Sequence, residues 1–128
     1  MAGNKISYPV QGAAYRAVMV PIKFTWNGTT VTASTQKACA RYVASVAYTT
    51  TGVATVTFKE NLGNLLVAVP SVQTSDSTAP GVLPSVGAYS STSKTLVVNS
   101  LSAANTLANS AKAVTFMVTC TFSADVRD

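Results

Sequence analysis

The sequence predicts an all-β chain, an antiparallel β-sandwich or a jelly-roll-like barrel of about eight strands with little helix. Three observations carry this. Asn27-Gly28 sits between two runs of alternating polarity in "IKFTWNGTTVTAS". The late run "KAVTFMVTCTFSA" alternates without a break from residue 113 to residue 122. Between them, turn-forming residues recur about every eight to twelve positions, the spacing of short strands in sandwiches and barrels.

The first hairpin is the sharpest local signal. Asn-Gly suits a two-residue type I′ turn, because both central residues need positive φ. That turn pairs Trp26 with Thr29, Phe24 with Val31 and Ile22 with Ala33. It puts Ile22, Phe24, Trp26, Val31 and Ala33 on one face and Lys23, Thr25, Thr30 and Thr32 on the other. Pro21 marks the strand start, or an edge or bulge position. "ACARYVASVAY" and "VATVTF" flank "TTTG", which predicts a second hairpin turning near Thr50 to Gly52. "ENLG" breaks the pattern and "NLLVAVPSVQT" resumes it. "SDSTAPGVLPS" has the Ser, Pro and Gly content of a surface loop. "TLVVN" is a short strand, and "SLSAANTLANSA" reads as a loop with one helical turn, Leu101 and Leu107 facing inward. In the last strand Val114, Phe116, Val118, Cys120 and Phe122 share one face, which makes Cys120 an inward-facing small hydrophobe.

At 128 residues the chain has the size of one domain with a real core. Residues 15–128 form a single β domain, preceded by an extended arm over residues 1–14. "NKISYPVQGAAY" carries Pro9 and Gly12, which suit an extended course. Tyr8, Tyr15 and Arg16 are its candidate partner contacts, because arms bind by adding main-chain bonds to a neighbour's sheet while side chains fill pockets. No apolar run reaches the length of a membrane span, and the opening residues lack a signal peptide's apolar stretch. The chain, opening on Met1, reads as a complete cytosolic product.

Charged residues make up 10 % of the chain against 48 % hydrophobic. A globular protein has about 25 % charged residues. The surface is therefore rich in Ser, Thr and Ala, a composition tolerable where partners cover it. The net charge is +5, but no three bases cluster in sequence, and this disfavours nucleic acid as a partner. Two cysteines, Cys39 and Cys120, with no histidine, argue against zinc; in a reducing compartment they are free, buried thiols, and a disulfide stays open for a particle oxidised outside the cell.

Catalytic chemistry is hard to place. With no histidine, the commonest general base and metal ligand is missing. The carboxylates are Glu60, Asp76, Asp125 and Asp128, the last two in a terminal tail. No G-x-S-x-G elbow, P-loop or G-x-G-x-x-G occurs. The expectation is a protein that is not an enzyme and binds neither cofactor nor metal.

The order "TTTGVATVTFKENLGNLLVAVPSVQT", then "STSKTLVVNSLS", then "NSAKAVTFMVTCTF" resembles a pattern in small virion proteins of tailed bacteriophages, over about residues 45 to 122. In those, a "TG-x-[YA]-T-V-T" strand precedes an "NLL"-like segment, a "KTLVV"-like strand and a final "VTFMV"-like strand. Residues 1 to 20 match no such pattern. The resemblance is to capsid decoration, or cement, proteins. It implies a small β-rich homo-oligomer, most often a trimer, assembled in the host cytoplasm and located in the virion. Such a subunit binds the outside of the shell at local three-fold positions and bridges neighbouring major capsid proteins. Two alternatives stay open: a self-assembling coat protein such as that of a single-stranded RNA phage, or a receptor-binding head of a phage fibre. RNA-phage coats end in helix, whereas this chain reads as ending on a strand.

Overall fold

The computed structural model describes residues 17–75 and 78–123. Eight strands form two antiparallel four-stranded sheets packed face to face, so the sandwich is the architecture adopted. One sheet contains β1 (Ala17–Asn27), β2 (Thr30–Ala33), β8 (Val114–Ser123) and β5 (Asn64–Gln73), in the order β2-β1-β8-β5. The other contains β3 (Val43–Thr50), β4 (Val53–Phe58), β7 (Thr95–Leu101) and β6 (Leu83–Ser90), in the order β3-β4-β7-β6. A single helical turn, α1 (Lys37–Ala40), lies in the crossing from β2 to β3. The expected arm over residues 1–14 lies outside the described residues.

The core is built by the alternation of β1 and β8. Val20, Ile22, Phe24 and Trp26 of β1 are buried, as are Val114, Phe116, Val118, Cys120 and Phe122 of β8. Both strands are central in their sheet and in register, with Phe24 opposite Phe116 and Ile22 opposite Val118. From the other sheet come Ala54, Val56 and Phe58 of β4 and Leu96 and Val98 of β7. Aromatic rings gather at the two ends of this slab. Trp26 lies 5.3 Å from Phe116 and meets Tyr48 edge-on at 6.4 Å. At the opposite end Phe122 lies 5.5 Å from Phe58 and 5.4 Å from Tyr89. Offset and edge-on rings of this kind add about 0.5–1.5 kcal/mol per pair to the burial they supply. The polar tips are satisfied locally: Trp26 Nε1 donates to the Gly28 carbonyl (2.9 Å) and the Tyr89 hydroxyl to the Gly63 carbonyl (2.6 Å).

The first hairpin turns one residue later than the sequence predicts. The pairs are Trp26 with Val31 and Phe24 with Ala33, and Asn27 pairs with Thr30. The loop is therefore Gly28-Thr29. Only Gly28 has positive φ (61°), the requirement of a type II′ turn rather than type I′. Two contacts fix this choice: the Trp26 indole bond and the Gly28 N–H donated to the Ser110 carbonyl (2.8 Å). The register moves by two residues, an even number, so every side chain keeps its predicted face. β1 begins at Ala17, and Pro21 lies within it, at a level where β2 no longer runs alongside. There a missing N–H removes no ladder bond, the edge situation expected of proline.

Three further differences have local causes. Residues 37–40 form a helical turn, not strand, closed by N–H groups of Cys39 and Ala40 on the Gln36 carbonyl. Residues 83–90, partly read as loop, form edge strand β6. Pro84, Gly87 and a bulge between Val86 and Tyr89 disguise its period. Residues 102–111 contain turns and no helical turn, and Leu107 is exposed while Leu101 is half-buried. Cys39 and Cys120 are free and buried, as expected.

The loop after β7 is fastened to the β3–β4 turn. Ser100 N–H donates to the Gly52 carbonyl (2.8 Å), and Ala108 N–H donates to the Ser100 carbonyl (2.9 Å). Asn109 accepts from the Gly52 N–H (2.7 Å) and donates to the Tyr48 hydroxyl (3.2 Å). Gly52 is buried, with φ 70°.

Candidate functional surfaces

Each strand that faces its partner sheet with apolar residues turns its other residues outward. Across β1, β8 and β5 the outward rows are Met19–Thr121–Val67, Pro21–Thr119–Val69, Lys23–Met117–Ser71 and Thr25–Thr115–Gln73. Met19 is 68 % exposed and Val69 59 %. Adjacent strands lie about 4.8 Å apart and outward residues of one strand about 6.8 Å apart. Met19 and Pro21 on β1 and Val67 and Val69 on β5 therefore form two apolar pairs about 10 Å apart, with Thr121 and Thr119 of β8 between them and Leu66 exposed at the bulge. Across β3, β4 and β7 the outward rows include Ser45–Thr57–Thr95 and Ala47–Thr55–Val97, and Asn99 of β7 faces outward opposite Val53 and Ser85. Thr49 and Thr55 join their hydroxyls across this face at 2.9 Å.

Charge is almost absent from the sheets. Among the described strand residues only Lys23 is charged, and its amine reaches the Gln36 side-chain oxygen (3.3 Å). The other described charges are Lys37, Arg41, Lys59, Glu60, Lys94 and Lys112, all in loops, turns or α1. Sheet edges are usually blunted by lysine. Here other devices replace it: β2 is only four residues long, Pro70 lies in β5 and Pro84 in β6, and β3 has two register shifts.

Three of the cations collect at one end of the second sheet. β3 starts, β4 ends and β7 starts there. Lys59 N–H donates to the Tyr42 carbonyl (2.8 Å), and Phe58 N–H donates to the Lys94 carbonyl (2.8 Å). The Arg41 guanidinium lies 5.3 Å from the centre of the Tyr42 ring. Sequence reading missed this group, because residues 41, 59 and 94 are far apart in the chain and only strand order joins them.

The expected partner contacts Tyr8, Tyr15 and Arg16 lie outside the described residues, as do Asp76, Asp125 and Asp128. Glu60 is exposed just after β4. Among the described residues no group of three or more His, Cys, Asp or Glu stands close enough to hold a metal ion. Burial pushes the Cys120 thiol up to about 11, the direction opposite to that of an activated nucleophile. No helix among the described residues is long and apolar enough to cross a membrane. No protein-family model matches the sequence, and comparison with curated proteins and with solved structures finds none that is similar.

Proposed function

We propose that this chain is a structural subunit of a virion, a capsid decoration protein that binds the outside of the shell and bridges major capsid proteins. The observation that supports this reading is that, among the described residues, every charge except Lys23 lies in a loop, a turn or α1. The two described sheet faces carry one lysine between them, and one of the faces turns Met19, Pro21, Val67 and Val69 outward on either side of Thr119 and Thr121. A freely soluble surface mixes about 25–35 % of charged residues throughout. Faces without charge suit close packing against neighbours, because bringing them together desolvates no ion. The likeness of residues 45 to 122 to decoration proteins gives the partner its class. The subunit works by contact, as a homotrimer, without catalysis or cofactor.

Light scattering on the purified chain, followed by co-sedimentation with phage shells, tests the reading. Val69→Lys puts a charge on the exposed side of β5 without touching the core, so stability should change by no more than about 0.5 kcal/mol. It should also lower the oligomer mass or the amount of chain carried down with shells. A monomeric wild-type chain that sediments with no shell overturns the proposal.

A further inference from the structure

We infer that the end of the sandwich carrying Arg41, Lys59 and Lys94 docks against a carboxylate-rich protein surface. The three cations spring from neighbouring strand ends in the order β3-β4-β7, a span of about 10 Å at the usual strand spacing. Lys37 lies one helical turn before Arg41, and Glu60 is the acidic residue in the group. The Arg41 side chain is held over the Tyr42 ring, so less of its freedom remains to be lost on binding.

Lys94 supplies an independent argument. Its φ is 60°, the left-handed conformation, in a turn of four residues between β6 and β7. Glycine or asparagine takes such a position at low cost, and a long side chain does not. A lysine standing where the backbone favours glycine points to a use for its charge.

The size and composition of the group favour a protein over a nucleic acid. Three phosphate contacts release about three counterions, too few to hold a duplex at physiological salt, where binding proteins make about six to ten. Single strands need aromatic rings free to stack on bases. The ring in this group belongs to Tyr42, which Arg41 already faces. The uncharged strands beside the cations offer the apolar and hydroxyl contacts that a protein surface would add. The identity of the partner, an acidic patch on the outer surface of the shell, rests on the decoration reading.

The full chain, its Arg41→Gln/Lys59→Gln/Lys94→Gln variant and Lys94→Gly are titrated against fluorescein-labelled poly-L-glutamate and a labelled single-stranded oligonucleotide of equal charge. Anisotropy is read at low and at physiological salt. Polyglutamate should bind the wild type, about tenfold more weakly in the triple variant, and more weakly still as salt rises. Lys94→Gly should bind more weakly yet melt at a higher temperature, because the backbone strain is gone. Equal polyglutamate binding by wild type and triple variant overturns the inference. So does tighter, variant-sensitive binding of the oligonucleotide, which would make the site one for nucleic acid. Co-sedimentation with shells separates the two readings. A chain that binds polyglutamate through these residues but no shell keeps the docking site and overturns decoration. Shell binding unchanged in the triple variant overturns the docking site and keeps decoration.

Discussion

Gly52→Ala tests the fastening of the β3–β4 turn beneath the loop that follows β7. A Cβ at Gly52 would stand 2.6 Å from the Ala108 nitrogen, 2.8 Å from Leu107 Cβ and 2.8 Å from the Ser100 carbonyl oxygen. Two of these are backbone atoms, and they are hydrogen-bonded to each other, while Ser100 N–H also bonds Gly52 itself. They cannot swing aside as a flexible side-chain tip would. The φ of 70° adds the left-handed penalty, about 1–2 kcal/mol for a residue with a Cβ. Crowding into fixed backbone adds about 1–3 kcal/mol. The sum, about 2–5 kcal/mol, is a large part of a domain's usual 5–15 kcal/mol. Urea unfolding followed by the fluorescence of Trp26, the only tryptophan, measures it. Gly28→Ala is the control. Its φ is 61°, but nothing lies within 4 Å of the added Cβ, so it should cost only the backbone term of about 1–2 kcal/mol. Equal losses in the two variants would refute the fastened turn and leave backbone conformation as the whole effect.

Other perturbations follow from single observations. The Ser100 hydroxyl is buried and has no hydrogen-bond partner, so Ser100→Ala should leave stability unchanged or raise it by about 1 kcal/mol in the same urea assay. Trp26→Asp puts an unpaired charge among Phe24, Phe116 and Tyr48, at a cost of about 3–5 kcal/mol or more, and circular dichroism should show a chain largely unfolded. Burial raises the Cys120 thiol from 9.0 to about 11, and burial and then the nearby Cys120 raise Tyr89. An unfolded chain gives up these protons at the ordinary values, so it binds fewer protons than the folded chain in this range. Stability is therefore fully present below about pH 9 and falls as pH rises towards about 11. Urea midpoints across that range should drop, and Cys120→Ala should flatten most of the slope.

Alternation alone identified the two longest buried faces. Val114 to Phe122 and Ile22 to Trp26 repeat apolar residues at a period of two, and a half-buried strand in water has no other stable way to place them. The faces survived even where the turn did not, because a shift of two residues keeps the pleat. The exact turn was settled by Ser110, far along the chain, whose carbonyl takes the Gly28 N–H. Strand β6 escaped notice because an edge strand needs neither alternation nor an absence of proline; only its ladder with β7 makes it a strand. The scarcity of charge was plain in the composition. That it leaves the sheets nearly bare and gathers Arg41, Lys59 and Lys94 at one end depends on strand order. Strand order comes from which faces bury each other, a property of the whole fold and of no local segment.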